Sequence, residues 1–156
     1  MSGVAVTFQE LGQPYTADES LLASFRAIAV EIAVPEGSVL FRQGDPVRGI
    51  YVVESGRISL TMTESGRHIK YRSVSKGYIL GLPATICDQP YSLTAEASEV
   101  SLVRFIEQPR VVEFLRGRSD LCLHVVEILG HELTDMRKAK AKATTPAKSV
   151  SSLRKN

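Results

Sequence analysis

Tryptophan is absent from the 156 residues, cysteine occurs only twice, and aromatic residues make up just 6% of the chain. Each scarcity excludes something. Cys87 and Cys122 lie far apart, with no Cys-x-x-Cys spacing and only His124 near either, so neither a zinc site nor a redox pair is expected. They read as two semi-buried thiols in a reducing compartment. No stretch approaches the ~20 apolar residues of a membrane span. The start, Met1-Ser-Gly-Val-Ala-Val-Thr-Phe, lacks the basic segment and apolar run of a secretory signal. The expected location is the cytoplasm, with no membrane partner. A Ser/His/Asp set, a paired-carboxylate motif and a Gly-rich nucleotide loop are also missing, so the chain reads as a non-enzyme.

Acid is lacking at one end. From Arg137 onward there are seven basic residues and no Asp or Glu; against a formal net charge of +2, that leaves −5 on residues 1–136. The body is acidic and the tail is basic.

What is present, 44% hydrophobic and 23% charged residues, is the composition of one soluble globular domain. Asp18-Glu-Ser-Leu-Leu-Ala-Ser-Phe places Leu21, Leu22 and Phe25 at the spacing of a short amphipathic helix. Short β-type runs come next, at Ile28 to Val34, Val39 to Phe41, Ile50 to Val53, Arg57 to Thr63, His68 to Val74, Leu93 to Ala97 and Val100 to Ile106. Turn signals such as Pro35-Glu-Gly, Gln43-Gly-Asp-Pro and Glu64-Ser-Gly separate them. Ile58, Leu60 and Met62 alternate with Ser59, Thr61 and Thr63, which gives that strand one buried and one wet face. Many short strands with close turns predict a mainly β fold with flanking helices, an antiparallel sandwich or roll.

The pattern then turns helical. Pro109 suits a first helical turn, and Ser119-Asp120 offers a cap for a longer helix. Along it Leu121, Val125, Ile128, Leu129, Leu133 and Met136 form a stripe at steps of three and four. With Val126 added on its flank and Leu123 beyond, that stripe is broad enough to be shared between the chain's own roll and a second copy. From Ala139 the composition shifts to Ala, Lys, Thr and Ser. The expected organisation is an N-terminal extension over 1–17, a domain over 18–139 with its C-terminal helices, and a basic disordered tail over 140–156.

The segment from Val34 to Ile58, with Phe41-Arg-Gln-Gly-Asp-Pro and turn glycines at Gly44, Gly56 and Gly77, resembles the cyclic-nucleotide-binding domain of the bacterial catabolite-activator and fumarate-nitrate regulator superfamily. The resemblance runs from about Leu21 to about Ala139. It implies an antiparallel β-roll of the double-stranded β-helix or jelly-roll type. The pocket inside is closed by a short helix and by the long C-terminal helix, which also makes the dimer contact. The implied phosphate-binding cassette is 77–97, with Gly81 and a helix start near Leu82 and Pro83 offering backbone N–H groups. Gly81, Leu82, Pro83, Ala84, Tyr91, Ser92 and Leu93 are then the cassette's ligand contacts, with Leu60 and Arg72 reaching in from strands. Glu132, Asp135 and Met136 fall where the long helix meets the ligand's base.

Two positions depart from the family pattern. Leu82 stands where relatives carry the glutamate that holds the ribose hydroxyl, and Tyr91 stands where an arginine holds the cyclic phosphate. Each lost charge-assisted hydrogen bond is worth roughly 1.5–3 kcal/mol, so cyclic AMP is not expected to bind in the usual way. Arg72 is either a substitute for that arginine or, as is commoner for arginine, a solvent-facing residue.

No cofactor is required; the implied ligand is a cyclic nucleotide or another small anion. The leading expectation is a dimeric sensor with a modified pocket. The alternative is a dimeric module for an unknown protein partner, its vestigial pocket filled by Leu82, Pro83, Ile86 and Tyr91. A third reading is a DNA-binding regulator, whose relatives continue into a helix-turn-helix that residues after Ala143 cannot build. No specific nucleic acid is therefore expected, only salt-sensitive phosphate contacts from the basic tail.

Overall fold

The computed structural model describes the backbone of residues 16–154 and the side-chain surroundings of residues 16–142. The extension expected over 1–17 lies outside the described residues except for Thr16 and Ala17. Helix α1 (Glu19–Arg26) begins where the Asp18 carboxylate accepts a hydrogen bond from the Leu21 N–H at 3.0 Å, satisfying one orphan donor of the first turn.

Eight strands come after it: β1 (Val30–Val34), β2 (Val39–Phe41), β3 (Gly49–Ser55), β4 (Ile58–Glu64), β5 (Arg67–Val74), β6 (Ile79–Leu80), β7 (Thr94–Ala97) and β8 (Ser101–Glu107). Helix α2 (Leu82–Cys87) lies between β6 and β7, and α3 (Gln108–Leu115) and α4 (Ser119–Arg154) close the chain. The strands form two four-stranded antiparallel sheets, ordered β1-β8-β3-β6 and β2-β7-β4-β5. This is the expected roll, with the seven expected strands found to within two residues at each end. Only β6 is not among the expected strands, because two residues are too few to show a period.

Two cores arise from the pleat of β3. Tyr51 and Val53 point between the sheets and pack with Phe41, Leu60, Tyr71 and Val103. Ile50 and Val52 point outward and pack with Leu21 and Phe25 of α1, Val111 of α3, and Leu121, Val125 and Ile128 of α4. A strand buried on both faces needs helices over its outer side, which is what α1, α3 and the first half of α4 supply.

Two features of α4 add to the sequence reading. Of the six residues expected to be shared with a second copy, Leu121, Val125 and Ile128 are buried in the chain's own outer core. Leu129 and Met136 are half-buried, and Leu133 alone is largely exposed. The buried positions 121, 125, 128, 132 and 139 keep to the 3.6-residue period and face the roll. The exposed apolar line is Leu133 with Leu123 and Val126 from the flank, and Gly130 among them. The second feature is length. The helix does not stop near Lys140 but runs to Arg154, in keeping with the high helix propensity of the Ala and Lys residues from Ala139 to Ala143.

A bulge interrupts the pairing of β5 with β4. Leu60 pairs with Arg72 but Thr61 pairs with Lys70, so Tyr71 is the extra residue. Alternation is broken there, and Tyr71 and Arg72 are both buried.

At Gly56, φ is +88°, and a Cβ would lie 2.6 Å from the Ser101 Cα. At Gly66, φ is +78° with open space around it. Replacing either with alanine incurs the left-handed cost of about 1–2 kcal/mol, but only at Gly56 must the neighbouring backbone also move. Urea unfolding of Gly56→Ala and Gly66→Ala is expected to show the first losing at least twice as much stability as the second; equal losses would contradict this packing.

Candidate functional site

The site lies inside the roll, where β6 hands over to α2 beneath α4. Gly81 makes that handover with φ +81°, and a Cβ on it would come within 2.9 Å of the Tyr91 ring. Glycine is required there both by the turn and by the ring beneath it.

Tyr91 is 3% exposed and fully bonded. Its hydroxyl donates to the Gly49 carbonyl at 2.7 Å and accepts from the Arg48 and Gly49 N–H groups at 3.1 Å each. Its ring stacks on Phe41 at 3.9 Å between centroids. The main chain is tied to the same loop, since the Gly44 N–H donates to the Tyr91 carbonyl and the Tyr91 N–H to the Asp45 carbonyl.

What space remains is a cavity of about 20 Å³, room for a single water molecule. Its inner wall is buried: Phe41, Leu60, Tyr78, Leu80, Ala84, Tyr91 and Glu132. The mouth is formed by Pro83, Ser92, Leu93 and Met136, which are less buried. Among the described residues, Glu132 is the only charged one lining it.

Of the expected contacts, the fold gathers Gly81, Pro83, Ala84, Tyr91, Ser92, Leu93 and Leu60 around this cavity. Leu82 and Arg72 do not line it. Leu82 is fully buried in the outer core with Leu21, Ile50 and Val111, because the first turn of α2 points it away from the roll. Arg72 does not face solvent either; it is 3% exposed, and a guanidinium nitrogen lies 3.0 Å from the Asp135 carboxylate of α4. The bulge at Tyr71 turns it inward, onto the face it shares with its cross-strand partner Leu60. Phe41, Tyr78 and Leu80 were missed by sequence reasoning. Glu132 had a visible signal: it sits four residues after Ile128 and seven after Val125, the one acid on the buried stripe.

The electrostatics centre on Glu132. Burial raises its carboxyl from 4.5 to about 7, against the opposing pull of a hydrogen bond with the Tyr78 phenol and of the Arg72 charge. Burial likewise holds the Tyr78 phenol well above its usual range, with the Glu132 charge adding to it. One Glu132 oxygen, Oε2, has no hydrogen-bond partner.

The family described as "Cyclic nucleotide-binding domain" matches residues 31–118. No curated protein matches the chain in sequence. Among solved structures, it is similar to the catabolite activator protein of Thermus thermophilus, at 18% identity and a TM-score of 0.68, over 77% of this chain and 57% of that one. It is similar to the sensor domain of the transcriptional regulator DNR from Pseudomonas aeruginosa, at 20% identity and a TM-score of 0.61, over 78% of this chain and 82% of that one. The N-terminal domain of a transcriptional regulator from Streptomyces coelicolor A3(2) is similar at 23% identity and a TM-score of 0.60, over 78% of this chain and 85% of that one. The chain thus spans less than two thirds of the Thermus protein. Among the described residues, no helix is long and apolar enough to cross a membrane.

The raised Glu132 carboxyl sets a pH dependence of stability. Between pH 4.5 and about 7 the native state keeps a proton that the unfolded chain has released. The stability this contributes is therefore full below pH 4.5 and lost by about pH 7, a change on the order of 3 kcal/mol. Urea unfolding across that range is expected to show Glu132→Gln gaining on the wild type by that order as pH rises. Parallel stability curves would mean that the carboxyl is not buried as described.

Proposed function

The chain belongs to the cyclic nucleotide-binding domain family, and on that premise we propose a homodimeric regulatory sensor domain, not an enzyme, whose pocket does not hold cyclic AMP in the usual way. Tyr91 carries this reading. Its phenol is saturated by the backbone of Arg48 and Gly49, and its ring fills the space under Gly81. A cyclic phosphate entering there would have to displace those bonds. No arginine or lysine lines the cavity to replace them, and its one charged side chain is a carboxylate.

A second reading, an interaction module with a vestigial pocket, is favoured by the cavity volume, since small-molecule pockets run to several hundred Å³. Native mass spectrometry separates the two: a retained small molecule supports the sensor. In both readings the free thiols Cys87 and Cys122 suit a reducing compartment such as the cytoplasm.

The dimer reading rests on the outward face of α4. Leu123, Val126 and Leu133 are 68%, 61% and 55% exposed, and with Gly130 they fall at steps of three, four and three, the spacing of a coiled-coil seam. A Cβ on Gly130 would have nothing within 4 Å, so the close approach of a second helix is open there. Alongside runs an apolar groove of about 330 Å³ between α2, α3 and α4, lined by Ile86, Val112, Leu115, Val126 and Leu129. A symmetric pair would cover both features.

Calorimetry with cyclic AMP and cyclic GMP is expected to show no binding tighter than about tens of micromolar, ~6–7 kcal/mol. Submicromolar binding of either would refute the pocket reading. Sedimentation at about tens of micromolar protein is expected to show a dimer, with Leu133→Glu, which places an unpaired charge in the seam, shifting it to monomer. A monomeric wild type would refute the dimer.

A further inference from the structure

We propose that the roll cavity accepts a small cation: the protonated head of a primary alkyl amine lodges against Glu132, and its chain leaves through the mouth between Pro83, Leu93 and Met136. The inference rests on the proposed function, in which this is not a cyclic-phosphate site, and gives that site a ligand class.

An unsatisfied group lies at the centre of the cavity wall. Glu132 is 8% exposed, and its Oε2 has no hydrogen-bond partner although the residue lines the cavity. A buried carboxylate oxygen needs a donor or a counter-charge. Among the described residues, the Tyr71 hydroxyl and Arg72 Nε close by are likewise buried without a hydrogen-bond partner, and one cation serves two acids. The Tyr78 phenol is hydrogen-bonded to the carboxyl itself. Arg72 of β5 is paired with Asp135, and its guanidinium lies 5.0 Å from the centre of the Tyr71 ring. Asp135, on the same helix, adds negative charge that acts on Glu132. Arg72 is thus shared, lying 3.0 Å from Asp135 while its charge also acts on Glu132, so that two acids face one arginine.

The walls select what fits. An anion is repelled by the carboxylate and finds no lysine or arginine among the lining residues. The aromatic residues Phe41, Tyr78 and Tyr91 are compatible with a cation, since ring faces attract positive charge. A volume of about 20 Å³ admits one heavy atom with its hydrogens, an ammonium head, and not a guanidinium or a quaternary ammonium. The apolar mouth suits a short alkyl chain.

The pH response is specific to this arrangement. Burial holds the Glu132 carboxyl up to about 7, while an alkyl ammonium stays charged to about pH 10. The counter-charge is therefore present above pH 7 and lost below it.

The test is a titration of the full chain with n-propylammonium chloride at constant ionic strength, monitored by amide NMR shifts, at pH 8 and pH 6. Parallel arms use n-propanol, tetramethylammonium and cyclic AMP. Saturable shifts are expected at Gly81 to Ala84, Ser92 and Glu132, with affinity about tenfold weaker at pH 6 than at pH 8, as one ionisation near 7 requires. Propanol and tetramethylammonium should bind at least tenfold more weakly, and Glu132→Gln should lose both the binding and its pH dependence. Equal affinity at the two pH values, or for propanol, or no saturable shift at all, overturns the proposal. In those cases a cyclic AMP arm that remains silent leaves the pocket reading standing. Submicromolar cyclic AMP binding removes that reading and the proposal together.

Discussion

Tyr91 holds the functional end of the roll together. Its hydroxyl uses one donor and both acceptor sites on the backbone of Arg48 and Gly49, while its own backbone is bonded to Gly44 and Asp45. The loop between β2 and β3 is thereby fastened to the segment between α2 and β7 by side chain and main chain at once. The ring then sets the floor of the cavity, stacks on Phe41 of β2 and leaves no room for a Cβ at residue 81. The start of α2 is placed by that contact. An arginine here would lack the acceptor for the two N–H groups and would bring a charge under an apolar stack. The tyrosine thus sets the local architecture at this position.

The second constraint is the acid that α4 buries. Leu121, Val125 and Ile128 anchor the first half of the helix in the outer core, and the same stripe one turn on presents Glu132 to the roll. Desolvation penalises its charged form, and the Tyr78 hydrogen bond and the Arg72 charge only partly offset this. Next to it the Arg72–Asp135 pair joins β5 to α4 at low exposure on the arginine side. Removing Asp135 would leave the buried Arg72 charge without its ionic partner, a destabilising change. The cavity, the helix position and the ionisation of Glu132 are therefore linked.

Charge also distinguishes this pocket from what its fold implies. A phosphate site needs N–H donors and cations converging on one point. Here the N–H groups of Arg48 and Gly49 are committed to a tyrosine, and the charged residue in the wall is an acid. The roll is kept, with Gly81 and Ser92 in the cavity wall beside Tyr91 and Glu132.

Much of the fold was legible because its signals are local. Alternation at Ile58, Leu60 and Met62 and the turn glycines at 44, 56 and 77 each act within a few residues, and each is found where the sequence places it. The cassette positions Gly81, Tyr91 and Ser92 were likewise legible through the family pattern, and they meet at one cavity. What the sequence by itself determined was where seven of the strands and the starts of the flanking helices lie. Three things were decided only by tertiary structure. The bulge at Tyr71 depends on pairing with β4, and it turned Arg72 inward although simple alternation beside Ile69 and Tyr71 points it out. The direction of Leu82 depends on how Gly81 turns into α2 over the Tyr91 ring, which sent the side chain to the outer core. The face of α4 that meets the roll was ambiguous in a stripe this broad, and the roll's shape chose Leu121, Val125, Ile128 and Glu132, leaving Leu123, Val126 and Leu133 outside. Each of these rests on contacts between residues distant in sequence, and so lies beyond any local pattern.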